Sequence, residues 1–509
     1  MENEIPDSKG EGTMKKAVVT TSLPDRLYRA EQVRAMDKYA IHDVGIPGFV
    51  LMQRAATSTF EVLRQRWPES HSVAVCCGGG NNAGDGYLVA RQALDAHYEV
   101  QVYALAPPER LQGDARLAYE AYLAAGGKVA EASPTDLNGF DVVVDALLGT
   151  GLDREVAGPY AQAIGVINRC RGKVLAVDIP SGLDADTGTV LGTAVEAEAT
   201  VTFIALKQGL FTSEGPVCCG QVWYADLTVP EAVLDYQPAS ARLLDSYSNL
   251  LPPRRASAHK GHFGHVLVVG GDAGLIGAAR MAAEAAARTG AGLVSVATRS
   301  AHAASLISTR PEIMSHGVET TTELQTLLSR ATVVAIGPGL GQSGWARSLL
   351  PAVCESNLPM VVDADALNLV AQNPKQKDNW ILTPHPGEAA RLLGCETREI
   401  QRDRFAALNG LTEKYGGVCV LKGCGTLIGR KGKRTSVCAL GNPGMASGGM
   451  GDVLTGILSG LIAQGLSIDD ASHMGVCLHA AAADGAAAEG QRGLLASDLM
   501  PWIRWLVNR

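Results

Sequence analysis

Two series of short, nearly continuous apolar runs, separated by amphipathic stretches, constrain the fold of this chain more than any other feature. In the first series the runs at 72–77, 100–105, 141–147, 173–179 and 200–205 lack the alternation of a strand with one wet face. They predict strands buried on both faces of a sheet. The stretches at 31–42 and 50–66 carry apolar residues at helical spacing, and those at 87–96, 115–125 and 159–169 supply helical crossovers between strands. A second series runs through 265–270, 292–297, 332–336, 359–362, 380–383 and 417–422. Between the two, 226–261 mixes proline, serine and isolated apolar residues, so the expected division is a domain over 26–238 and another over 239–509. Residues 1–25 are expected to form a disordered tail, with Met14 as an alternative start. The fold class is α/β, and the first half is a doubly wound sheet.

A chain of 509 residues is too long for one ordinary core, and its 58 glycines suit tight βα turns and close helix-on-sheet packing. The formal net charge of −8 argues against a nucleic-acid surface. Eleven cysteines without a CxxC pair, two of the pairs being adjacent in sequence (Cys76–Cys77 and Cys218–Cys219), suit buried thiols in a reduced, cytoplasmic protein. The first residues are acidic and polar where a secretory signal would be basic and then apolar, and no apolar run reaches the ~18 residues of a membrane span. Apolar helices in both halves permit a homo-oligomer.

Each half carries one glycine-and-carboxylate loop that runs into an apolar helical pattern, CGGGNNAGDG at Cys77–Gly86 and NPGMASGGMGD at Asn442–Asp452. Backbone N–H groups at such a helix start can hold an anion, while a carboxylate beside them acts on the ligand. In the first half two consecutive asparagines, Asn81 and Asn82, stand beside Asp85, more polarity than a turn requires. Asp145 and Asp178 fall at two later strand ends. Either alone could cap a helix or close a turn; strand ends of an open parallel sheet converge on one crevice, so a shared site is the better reading. Oxygen-bearing Asn82, Asp145 and Ser181 suit a hard cation, and the lack of clustered His and Cys argues against zinc.

In the second half GPGLG at 337–341, VDADAL at 362–367, TPHPGE at 383–388 and KGCGT at 422–426 fall at strand ends on one side of the expected sheet. The glycines Gly448, Gly449 and Gly451 open a long apolar helix beside Asp452. Their N–H groups suit charge developing on a transferred phosphoryl group. His473 and His479, six apart, do not share the i,i+4 spacing of a metal-binding helix face and are expected in the core.

The strings AEQVRAMD, GIPGFVLMQRAA, NNAGDG, DALLGTGL and DIPSG resemble the epimerase domain of NAD(P)H-hydrate repair enzymes, a Rossmann-like fold. That resemblance implies that Asn81, Asn82, Ala83, Gly84 and Asp85, with Gly149, Thr150, Gly151, Leu152, Asp153, Arg154 and Glu155, hold the hydrate. It also implies that Asn82, Asp145 and Ser181 bind potassium and that Asp178 contacts substrate; we expect Asp178 to move the proton. HKGHFG, GPGLG, DADAL, TPHPGE, KGCGT and NPGMASGGMGD resemble the ribokinase-like ADP- or ATP-dependent NAD(P)H-hydrate dehydratases. Here the resemblance implies hydrate contacts at Ala278, Gly339, His385 and Asp452, and an adenine nucleotide held by Lys422, Gly423, Cys424, Gly425, Thr426 and Gly451. Asp452 is then the catalytic base, ADP the expected co-substrate and Mg2+ the expected bridge between its phosphates. The substrates implied are NADHX and NADPHX, with no nucleic-acid or membrane partner. A small-molecule kinase for a hydroxymethylpyrimidine or thiazole alcohol shares the GGxGD element, and relatives of the first half serve as non-catalytic scaffolds. Asn82, Asp145, Asp178 and Ser181 speak against a lost active site.

Overall fold

The computed structural model describes residues 19–130, 133–308 and 310–509 and arranges them around two sheets. The first has the order Val19–Thr20, Gln221–Ala225, Ala199–Phe203, Lys173–Val177, Val142–Ala146, Ser72–Cys77, Glu99–Ala104. Every neighbouring pair is parallel except the edge pair of Val19–Thr20 with Gln221–Ala225. Helices Asn81–Asp95, Gly113–Ala124 and Gly158–Ile167 make crossovers, and strands such as Val142–Ala146 are buried along their whole length. From Ser72–Cys77 the chain moves outward to Glu99–Ala104 and then returns to Val142–Ala146 on the other side. The crevice at that switch point is where an open α/β sheet binds ligands.

The second sheet runs Met314–Gly317, Leu293–Thr298, His265–Val269, Val333–Ile336, Met360–Val362, Trp380–Leu382, Val418–Leu421, Thr426–Arg430, Thr435–Cys438 and Ala241–Leu244. Its first seven strands are parallel, with the switch between His265–Val269 and Val333–Ile336. On one face helix Met450–Ala463 lies against the alanine-rich helix Ile276–Thr289. A Cβ added at Gly456 would sit 2.1 Å from the Ala282 carbonyl oxygen, and one at Gly460 would sit 2.9 Å from that of Ala286. Small residues on both helices therefore set how deeply the start of Met450–Ala463 enters the site.

Two further strands of this second sheet come from the first half. Arg26–Tyr28 pairs antiparallel with Ala241–Leu244, and Leu206–Lys207 pairs with Arg26–Tyr28. One apolar cluster joins Leu27, Leu206, Leu210 and Phe211 to Leu408, Leu421, Leu427 and Val437. The sheets therefore do not divide at the expected boundary: two strands that precede residue 238 belong to the second sheet, and in space the halves interlock.

Two expectations need correction. Val19–Thr20, inside the stretch expected as a tail, forms an edge strand; two residues are too few for a periodic signal, and the pairing is a matter of backbone hydrogen bonds to the strand holding Tyr224 and Ala225. The rest of the expected tail, 1–18 with Met14, lies outside the described residues. The helix expected from 87 begins at Asn81, because Gly80 in an extended conformation serves as N-cap and the polar residues fill the first turns. Ala83 is helical and fully buried there, so its methyl group packs without strain. Among the described residues no helix is long and apolar enough to cross a membrane.

Candidate active sites at the two switch points

At the first switch point a cavity of about 910 Å³ is lined by Asn81, Asn82, Asp85, the whole Gly149–Glu155 stretch and Asp178. That volume suits a dinucleotide-sized ligand. Ala83 and Gly84 do not line it: Ala83 is buried, and a Cβ at Gly84 would meet the Met52 sulfur at 2.6 Å, so these two residues serve helix packing. Asp145 and Ser181 also lie beneath the cavity, fully buried. The Ser181 hydroxyl donates to Asp145 Oδ1 at 2.6 Å and its amide to Oδ2 at 2.7 Å, while Leu148 N–H donates to Ser181 Oγ at 2.8 Å. Burial pushes the Asp145 carboxyl up to about 6 despite these donors. Beside this pair, both polar atoms of the Asn82 amide are buried and without a partner. A buried amide oxygen, a carboxylate short of charge compensation and a hydroxyl are the donor set of a hard monovalent cation, so the residues present fit potassium.

Asp178 follows strand Lys173–Val177 with φ +66, a conformation costly for a residue with a side chain. The turn aims its carboxylate at Lys207, whose ammonium is 1% exposed and donates to Asp178 Oδ1, to Thr202 Oγ1 at 3.0 Å and to the Phe203 carbonyl at 3.1 Å. Asp37, from helix Ala30–His42, and Asp85 complete the acidic wall, their carboxyls raised first by burial and then by the Asp178 charge. Sequence reading missed Lys207 and Asp37. A lone lysine after an apolar run reads as a solvated strand end, and only the pairing of Leu206–Lys207 with Arg26–Tyr28 buries it.

In the second half Gly339, with φ +58, meets Asp272 N–H through its carbonyl at 2.8 Å, and its added Cβ would lie 3.2 Å from that of Ala278. These two residues therefore stand together at the switch point. His385 caps helix Pro386–Leu393: its Nδ1 accepts from Gly387 N–H at 3.0 Å, and its own N–H donates to Glu388 Oε2 at 2.8 Å. From Glu388 a polar chain continues to Lys422, 3.9 Å away, and on to Asp363 at 2.8 Å. Thr383 and Thr455 donate to the same carboxylate at 2.8 and 2.9 Å. Burial works against the Asp363 charge, but Lys422 and these donors outweigh it and hold the carboxyl below its usual range.

Lys422 Nζ and Asp363 Oδ2 lie 3.3 and 3.5 Å from where a Cβ on Gly451 would be, so the ion pair sits under the first turn of helix Met450–Ala463. Gly449 begins that turn at φ +92. Asp452, on the same turn, has its carboxyl pushed up to about 7, by burial first and then by Asp363. His479 lies in helix Ile468–Ala486, buried; its Nε2 has no partner, and desolvation lowers it to about 4, leaving a neutral ring. His473 bonds Ser436 Oγ at 3.0 Å. VDADAL and TPHPGE hold Asp363 and Thr383, but that these two join Thr455 in one set has no sequence signal, since hydroxyls far apart in the chain carry no shared pattern.

Family profiles match both halves: one described as YjeF-related protein N-terminus over residues 48–209, and one described as NAD(P)H-hydrate dehydratase over 266–504. The bifunctional NAD(P)H-hydrate repair enzyme Nnr of Coxiella burnetii is 51% identical, over 95% of this chain and 99% of its own length. Its namesake of Escherichia coli is 44% identical over 97% and 96%. A solved ADP/ATP-dependent NAD(P)H-hydrate dehydratase from Bacillus subtilis is 30% identical over 51% of this chain and 94% of that one, with a TM-score of 0.46. With both profiles in their expected halves and such identity along nearly its whole length, the chain belongs to the family of bifunctional NAD(P)H-hydrate repair enzymes.

Proposed function

We propose that the first half interconverts the R and S hydrates of NADH and NADPH, and that the second half converts the S form back to the dihydronicotinamide at the expense of ADP, releasing AMP and phosphate. The observation that carries this reading is that each half sets one carboxylate near a lysine: Asp178 against the buried Lys207 in the wall of the first cavity, and Asp452 close to the half-buried Lys422 under the start of helix Met450–Ala463.

The hydrate carries its hydroxyl on C6, a carbon also bonded to nitrogen. Donation of the nitrogen lone pair lets that hydroxyl leave and return on the other face, and Asp178 shuttles the proton. Lys207 keeps the Asp178 carboxylate oriented. Asn81, Asp85 and the Gly149–Glu155 stretch enclose the ligand. Potassium bound by Asn82, Asp145 and Ser181 would supply the positive charge that the buried Asp145 carboxylate lacks.

Hydroxide leaves poorly and phosphate leaves well. In the second half Asp452 takes the proton of the C6 hydroxyl as the oxygen attacks the terminal phosphoryl group of ADP and AMP leaves; elimination then breaks the C6–O bond, expelling phosphate, and C5 gives up a proton as the C5–C6 double bond forms. The N–H groups at the start of Met450–Ala463 stabilise the phosphoryl charge. Ala278, Gly339 and His385 hold the hydrate, and Lys422–Thr426 with Gly451 hold the nucleotide. Magnesium on the phosphates would neutralise charge during transfer.

The test is recovery of dihydronicotinamide absorbance from a mixture of R and S hydrates with ADP, magnesium and potassium. Full recovery at the enzymatic rate is expected. Recovery of the S fraction alone would remove the epimerase, strong turnover with ATP and none with ADP would remove the ADP preference, and a stable phosphorylated product would remove the dehydratase.

A further inference from the structure

Arg404, in helix Arg404–Tyr415, is 1% exposed, and its guanidinium contacts backbone carbonyls rather than a carboxylate. Nη1 donates to the carbonyl of Cys424 and to that of Gly425 at 3.0 Å, and Nη2 donates to those of Leu421 at 3.1 Å and Lys422 at 3.3 Å. The remaining contact crosses to the other half of the chain: Nη1 donates to Thr212 Oγ1 at 2.6 Å. That hydroxyl in turn donates to the Gly425 carbonyl at 3.2 Å, and Ser213 N–H donates to the Cys424 carbonyl at 3.2 Å. Thr212 is fully buried.

Two glycines of the loop are fixed by this packing. A Cβ on Gly425, at φ +61, would stand 1.9 Å from the Phe211 carbonyl oxygen, and one on Gly423 would stand 2.9 Å from Arg404 Nη2. With the Lys422 and Cys424 carbonyls turned toward Arg404, the trans peptide geometry sends the N–H groups of Gly423 and Gly425 to the opposite side. Those are donors available to a ligand, and Cys424 at the loop tip is exposed. The charged hydrogen bonds that hold the carbonyls inward are the strong kind, and removing one partner leaves buried groups unpaired.

We propose that Thr212 of the first half is a positioning residue for the dehydratase, acting through Arg404 to set the loop Lys422–Thr426 in its nucleotide-binding geometry. The inference rests on the reading that this loop holds the nucleotide. It makes the first half a structural part of the second half's nucleotide site, which sequence position alone would never suggest.

The experiment uses the full chain and measures ADP binding by calorimetry together with KM and kcat of dehydration. Thr212→Val keeps the shape and removes the hydroxyl; roughly a tenfold rise in ADP Kd and KM is expected, with kcat at saturating ADP nearly unchanged. Thr212→Ser restores the hydroxyl and is expected to return KM to the wild-type range, which a purely steric role would not do. Wild-type KM in Thr212→Val, or failure of Thr212→Ser to rescue, overturns the proposal. Should Thr212→Val not fold, Arg404→Lys reads the same geometry: raised KM with retained kcat supports the proposal, and unchanged KM overturns it. Cys424→Trp, at the exposed loop tip, tests the underlying reading separately. If it abolishes ADP binding while Thr212→Val binds normally, the loop holds the nucleotide and Thr212 does not position it; if Cys424→Trp also binds ADP normally, the reading of the loop itself fails.

Discussion

Asp452 has to be ionised to accept a proton, yet burial and the nearby Asp363 charge push its carboxyl up to about 7. Dehydration kcat/KM should therefore rise as pH passes through about 7 and level off above it, and Asp452→Asn should be slower by roughly 10²–10⁴-fold with that rise gone. The same shift has a sign for stability. Because the folded pKa lies above that of the unfolded chain, the folded state binds the extra proton between the two values, and stability falls with pH until about 7. Asp452→Asn, which cannot ionise, should be more stable than wild type by up to ~4 kcal/mol above that pH and equal to it below pH ~4; urea denaturation at the two extremes checks both. In the first half Lys207→Met should cut epimerisation by ~10²-fold or more, leaving the Asp178 carboxylate without its cation, while dehydration of pure S hydrate stays near wild type. Equal loss of both activities would show that Lys207 supports the fold rather than the reaction. The placement of Asp178 and Asn82 just after strands and of Asp452 at a helix start was legible in sequence because each stands in a dense run of glycine and polar residues. Lys207 and Thr455 were not, since what gives each its partner is a contact between distant segments.

The elements that carry apolar residues over several turns or along a whole buried strand, such as Ser72–Cys77 and the helix Gly48–Arg66, were readable with their ends nearly in place. Among those that escaped are the two-residue strands Val19–Thr20 and Leu206–Lys207, the strands Gln221–Ala225, Ala241–Leu244, Thr426–Arg430 and Thr435–Cys438, and the first turns of Asn81–Asp95. Their conformation is set by what they pair with or by a cap, which periodicity does not encode. Nor does periodicity give the depth at which helices meet. Helix Met450–Ala463 approaches Ile276–Thr289 closely enough that a Cβ at Gly456 would meet the Ala282 backbone oxygen at 2.1 Å. Since that neighbour is backbone, Gly456→Ala has to push the helices apart, at a cost of ~1–3 kcal/mol in chemical denaturation. Moving the helix also moves Gly451 and Asp452 relative to Lys422. Dehydration should thus fall more than tenfold at a temperature where the variant is still folded, with epimerisation retained; equal rates for wild type and variant would mean that the helix start is positioned by its loop rather than by this packing.

At the scale of the whole molecule the two halves share a sheet and a core. Arg26–Tyr28 lies between a strand of the second half and a strand of the first, and Leu27, fully buried, joins Leu210 and Phe211 to Leu408, Leu421 and Val437 in one apolar cluster. A domain whose neighbour unfolds loses the cover over that cluster, so the unfolding of one half raises the free energy of the folded form of the other. Interfaces between separable domains of one chain are of modest size and polar, and they leave the domains free to move independently. The chain should accordingly unfold in one transition, with thermal inactivation of epimerase and dehydratase sharing a midpoint. Leu27→Ala removes a fully buried side chain at the junction and should cost ~2–4 kcal/mol. Because the cavity opens in the cluster common to both halves, that loss should lower both midpoints together, although Leu27 touches neither carboxylate proposed to react. Two inactivation midpoints in the wild type, or a shift confined to the epimerase in Leu27→Ala, would mean that the shared strands join halves that remain energetically separate, and the coupling through Thr212 would then have to be purely local.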